Sequence, residues 1–112
     1  MDELIRQVRE FAEDRDWDQF HSPKNLSMAL SVEAAELMEH LQWLTEDQSR
    51  QPDQKLLERI KEEIGDVQIY LARLADQLGI DPLEAAREKL KQNEVKYPIE
   101  TSRGSAKKYD EL

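Results

Sequence analysis

The chain has no cysteine, three glycines and four prolines. Without thiols it can form neither a disulfide framework nor a thiolate metal site. So few helix breakers in a chain that is 37% charged fit a helix-rich soluble protein. No apolar run approaches the length of a membrane span, and no signal-peptide core or basic leader is present. The expectation is a cytoplasmic protein without a membrane partner. Basic residues are also scarce, 16 Lys and Arg against 25 Asp and Glu for a net charge of −9. That balance argues against nucleic acid as a partner, because phosphate backbones are held by clustered Lys and Arg.

What is present is a chain of one-domain length, 112 residues, with a modest core and long amphipathic segments. Such a chain is expected to finish burying its apolar faces as a homodimer or homotetramer. The charge is uneven. Residues 87–108 hold seven bases and three acids, leaving an excess of thirteen negative charges on the remainder. An acidic body with a basic end suits a small polyanion if a cation bridges the two.

Helical spacing of Leu4, Ile5, Val8, Phe11 and Ala12 predicts a first helix over 2–14. Ser22-Pro23, a cap and first-turn pair, opens a second that runs to about Leu44. A loop, TEDQSRQ, leads to a third that starts at Pro52 or Asp53 and ends at Gly79. Asp81-Pro82 opens a fourth over about 83–96. No strand pattern emerges, so the fold class is all-α, an antiparallel bundle of about four helices completed by oligomer packing. The helical catalytic domain is expected over 1–97, with 98–112 as an irregular tail.

Four acids break the apolar stripes. With Leu26 as the reference on the second helix, Leu30, Leu37, Leu41 and Leu44 fall within roughly 60° of it, Glu33 about 20° away and Glu36 about 80° away. The third helix repeats the pattern 30 residues on, with Leu26 matched by Leu56, Glu33 by Glu63, Glu36 by Asp66, His40 by Tyr70 and Leu44 by Leu74. Glu33 lies eleven residues before Leu44, and Glu63 ten or eleven after the third helix begins, so the two are level in an antiparallel pair. A single helical Glu ordinarily faces solvent or a lysine. Two at the centre of facing stripes, each with an acid at i+3, need a cation, since burial and like charge both oppose ionisation. Oxygen-only ligands favour Mg²⁺ or Mn²⁺.

The segments VEAAEL (32–37), EEIGDVQIYL (62–71) and KLKQNEVKYP (89–98), with DWDQFHSPKNL (16–26) and LQWL (41–44), resemble the MazG-like, all-alpha nucleoside triphosphate pyrophosphohydrolase superfamily and its dCTP-pyrophosphatase branch. The resemblance implies hydrolysis of a nucleoside triphosphate, a pyrimidine deoxynucleotide such as dCTP or a modified relative, to the monophosphate and pyrophosphate in nucleotide-pool cleaning. It implies Glu33, Glu36, Glu63 and Asp66 as Mg²⁺ ligands, with Glu33 or Glu36 orienting the attacking water. Val32 stands where the longer family motif has a first glutamate. The resemblance places Asn93, Lys89, Lys96 and Tyr97 near the substrate, although Glu94 and Val95 replace arginines of relatives. Lys89 and Lys96, seven apart on one helical face, suit the leaving pyrophosphate.

Trp17 and Trp43 match aromatic positions of the family's base pocket, and both also fit a core or subunit interface. His21 matches the F-H-x-P-x-N-L segment. Asn25 and Tyr70 are placed to hydrogen-bond substrate or a carboxylate, and His40 suits a pocket or core equally. Two other classes compete. A carboxylate-bridged di-iron bundle pairs Glu with His at i+3, whereas Glu36 and His40 are four apart. A non-catalytic interaction module needs no metal, and its Glu33→Gln and Glu63→Gln variants lose no activity.

Overall fold

A computed structural model describes residues 1–111. Among the described residues six α-helices form, α1 (Asp2–Asp14), α2 (Pro23–Glu39), α3 (Glu46–Ser49), α4 (Gln54–Leu78), α5 (Pro82–Lys96) and α6 (Ile99–Ser102), with 3-10 turns at Asp18–Phe20 and Tyr109–Glu111. Among the described residues there is no strand and no helix long and apolar enough to cross a membrane. The chain divides into two compact units, Met1–Ile80 and Asp81–Leu112.

Capping chemistry sets most helix starts. The Ser22 side chain accepts the Asn25 amide and Pro23 occupies the first turn of α2. Asp53 accepts the Leu56 amide at the head of α4, and Asp81 accepts the amides of Leu83 and Glu84 before α5. Each side chain satisfies backbone donors that the first helical turn leaves unpaired. At the other end of α4, Gly79 adopts φ 66°, and the Ile80 amide closes back on the Ala75 carbonyl at 2.9 Å.

Two expectations are corrected. The second helix ends at Glu39 and not at Leu44. Leu41 and Leu44 lie in hydrogen-bonded turns, the Leu41 amide on Met38 O and the Leu44 amide on Leu41 O. These i→i+3 turns preserve nearly helical spacing, so the leucine period continues past the helix. The expected loop after it contains α3, held by a capping box between Thr45 and Gln48. Within the tail, Ile99–Ser102 forms one short helix.

In the first unit, α4 packs against α2 and α1. His40, after α2, lies beside Glu63, while His21, before α2, lies beside Arg73 and Gln77. The two helices are therefore antiparallel. Met1 meets Gln68 and Arg9 meets Asp76, so α1 runs in the direction of α4. Ala12, Leu26, Ala72 and Ala75 form the closed centre. Leu26 is its largest side chain, and burying it contributes about 1.5–3 kcal/mol. Small alanines let the helices approach closely where α1, α2 and α4 meet.

Candidate active site

On α2, Glu33 and Glu36 stand one turn apart, and Glu63 reaches them from α4. Each offers a carboxylate oxygen, and these oxygens all lie within 4.8 Å of one another. Glu33 Oε2 and Glu63 Oε2 are sealed from solvent without a hydrogen-bond partner. The other Glu63 oxygen lies 3.4 Å from His40 Nε2. Orphaned carboxylate oxygens are costly, and a divalent cation is the partner that oxygen-only donors at this spacing fit. Burial above all pushes the Glu33 carboxyl up to about 7; the hydrogen bond and charge of Glu36 and the charges of Asp66 and Glu63 add to it.

Asp66 stands apart from this trio. It is exposed one turn beyond Glu63 and lines, with Glu33, a cavity of about 180 Å³ whose other walls include Trp17, His21, Tyr70 and Arg73. Phe11 packs edge-on to Trp17, with ring centroids 5.6 Å apart, and Trp17 packs against His21 at 6.1 Å. The lining therefore combines aromatic rings with the carboxylates of Glu33 and Asp66 and the guanidinium of Arg73. The loop carrying Trp17 turns at Asp16, whose φ is 55°, and the Asn25 side chain donates to the Phe20 carbonyl at 3.0 Å.

The structure thus brings together Glu33, Glu36 and Glu63, and beside them Asp66, Trp17, His21 and Tyr70. Asn25 serves the loop and does not line the cavity. Trp43 is 87% exposed in the turns after α2 and is outside this wall. Lys89, Asn93, Lys96 and Tyr97 belong to the second unit, where the Lys96 ammonium lies 4.9 Å from the Tyr109 ring and Tyr97 packs against the same ring at 6.1 Å.

A family model described as MazG-like matches residues 28–112. The chain belongs to the MazG-like family. Among curated relatives, this MazG-like chain is 40% identical over 116 residues to dCTP pyrophosphatase 1 of Rattus norvegicus, covering the whole chain and 67% of that protein. It is 40% identical over 114 residues to dCTP pyrophosphatase 1 of Homo sapiens, again with the whole chain and 67% of that protein covered. A solved pyrophosphatase from Archaeoglobus fulgidus superposes with a TM-score of 0.78 at 43% identity, covering 88% of this chain and 92% of that one.

Sequence reasoning missed the charged residue in the cavity wall of this MazG-like chain, Arg73. It is buried in the cavity wall and bonds Asp18, His21 and Asp76. Seven residues after Asp66 it shares that acid's helical face, a position that an ordinary solvated arginine fits equally.

Proposed function

We propose that this MazG-like chain is a nucleoside triphosphate pyrophosphohydrolase that acts on dCTP, releasing the monophosphate and pyrophosphate. The observation that carries this reading is the convergence of Glu33, Glu36 and Glu63 within 4.8 Å at the edge of a cavity lined by Trp17, His21 and Tyr70. Together these offer a cation site for phosphates and a stacking wall for a base. The names of the relatives support the substrate.

Glu33, Glu36 and Glu63, joined by Asp66, hold Mg²⁺ or, in its place, Mn²⁺. A bound cation of this kind offsets the triphosphate charge and supplies Lewis acidity. One of the pair Glu33 and Glu36 orients the attacking water, and a carboxylate there accepts its proton. Trp17 stacks on the base, His21 and Tyr70 present polar atoms to it, and Asn25 braces the loop beneath. By the family resemblance, Trp43 in the first unit and Lys89, Asn93, Lys96 and Tyr97 in the second are further candidate substrate-binding residues, the lysines suited to the leaving pyrophosphate. The domain that carries this chemistry spans 1–97, with 98–112 as its tail, and the protein works in the cytoplasm as a homodimer or homotetramer.

The test is product analysis with dCTP and a panel of other triphosphates. Chelation abolishes turnover and added Mg²⁺ restores it, with monophosphate and pyrophosphate as the products. Glu33→Gln lowers kcat by roughly 10²–10⁴-fold. Orthophosphate as the first product, or full activity in Glu33→Gln and Glu63→Gln, rejects the reading.

A further inference from the structure

Arg73 is 3% exposed, the one charged side chain buried among the described residues. A guanidinium keeps its charge in proteins, so its burial demands partners. Nη1 donates to Asp76 Oδ2 at 3.2 Å, Nη2 to Asp18 Oδ1, and Nε to Nδ1 of His21 at 3.2 Å. Asp76 also accepts two hydrogen bonds from Arg9 on α1, at 2.9 and 2.5 Å. Two cations thus face two carboxylates, and the network closes without net charge.

The third bond has a chemical consequence. Arginine Nε always carries its hydrogen, so the imidazole nitrogen facing it must be bare. The single ring proton of a neutral His21 then sits on Nε2. Burial first, and the Arg73 charge second, lower the His21 pKa and keep the ring neutral. The backbone of the loop is held as well, since Gln77 donates to the His21 carbonyl at 2.8 Å. The imidazole thereby becomes a fixed element of the wall it shares with Trp17, Glu33 and Asp66.

We propose that Arg73 is a positioning residue that locks His21 in the Nε2–H tautomer, giving the aromatic cavity one directed donor that selects a base with an acceptor at that point. This rests on the cavity being the base pocket. A base that presents a hydrogen there meets donor against donor, and an unpaired buried donor discriminates more strongly than a change in shape. Cytosine offers adjacent acceptors at N3 and O2, whereas N3 of thymine carries a hydrogen. Arg73, its guanidinium engaged by Asp18, Asp76 and His21, acts through His21.

Nitrogen NMR of the histidine rings in the substrate-free protein tests the lock directly, because the chain has two histidines. The parent shows His21 protonated on Nε2. In Arg73→Met the tautomers mix and KM for dCTP rises about tenfold while kcat changes by less than about threefold. Arg73→Lys, which keeps the charge and one donor, recovers part of the KM. A parent His21 protonated on Nδ1 overturns the proposal, and so does a folded Arg73→Met with tautomer and KM unchanged. The parent spectrum decides even if Arg73→Met fails to fold. A His21→Phe variant with unchanged KM overturns instead the base-pocket reading, whatever the tautomer.

Discussion

Glu33 holds its proton to about pH 7 in the folded chain, against an ordinary value of 4.5. In that interval the folded state binds more protons than the unfolded one, so stability falls as pH rises. The contribution is complete below about 4.5 and gone above about 7. Without divalent cation, the thermal midpoint is therefore expected to rise by a few degrees on acidification from about pH 7.5 to about pH 5. Saturating Mg²⁺ flattens this slope, because the cation replaces the proton, and Glu33→Gln removes it. Scanning fluorimetry across pH measures all three, and a slope undiminished in Glu33→Gln contradicts the assignment. Asp76 has the opposite sign: hydrogen bonds from Arg9, with the charges of Arg9 and Arg73, hold its pKa low against the cost of burial, and its share of stability is lost as pH falls below its usual 3.8. Glu33 was legible in the sequence because a carboxylate at the centre of an apolar stripe violates the pattern around it. Arg73 was not, because at the edge of a stripe it looks like an ordinary solvated cation, and only the fold brings Asp18 and His21 to it.

Helix ends were legible where a side chain does the capping. Ser22, Asp53 and Asp81 each accept backbone amides of the helix they open, and Gly79 closes α4. The Gly79 requirement is one of backbone alone: φ is 66°, and an added Cβ there meets nothing within 4 Å. Gly79→Ala is thus expected to cost about 1 kcal/mol through the left-handed conformation and nothing through packing. Urea denaturation reads this as a lower midpoint at constant slope; an unchanged midpoint removes the role given to Gly79. The end of α2 was not legible, since neither glycine nor proline marks it and the turns to Leu44 keep the leucine period. Counting residues from a helix end at Leu44 was therefore an unsound basis for setting Glu33 level with Glu63. Their carboxylates meet because α2 and α4 face each other through matching stripes, fixed by His40 beside Glu63 at one end and His21 beside Arg73 at the other.

α4 carries two apolar stripes, and the sequence pattern merges them. Leu56, Ile60, Val67 and Leu74 are half-buried, whereas Leu57, Ile64, Leu71 and Leu78, spaced by sevens, stay between 37% and 54% exposed. A heptad stripe along a 25-residue helix is the seam that helices use to associate. Met28 and Val32 on α2 are also exposed, and a small domain gains little by leaving so much apolar surface in water. A second copy of the chain presents the same stripe, so an isologous contact covers both at once. The parent is accordingly expected to sediment as a dimer or tetramer at micromolar concentration. Leu57→Lys with Leu78→Lys places charges at both ends of the stripe, well away from the acidic trio, and is expected to shift the species toward monomer and lower the thermal midpoint. A parent that sediments as a monomer rules the assembly out. A double variant that keeps the parent's mass rules out this stripe as its seam, because burying four unpaired lysines per dimer costs more than the leucine contacts they replace.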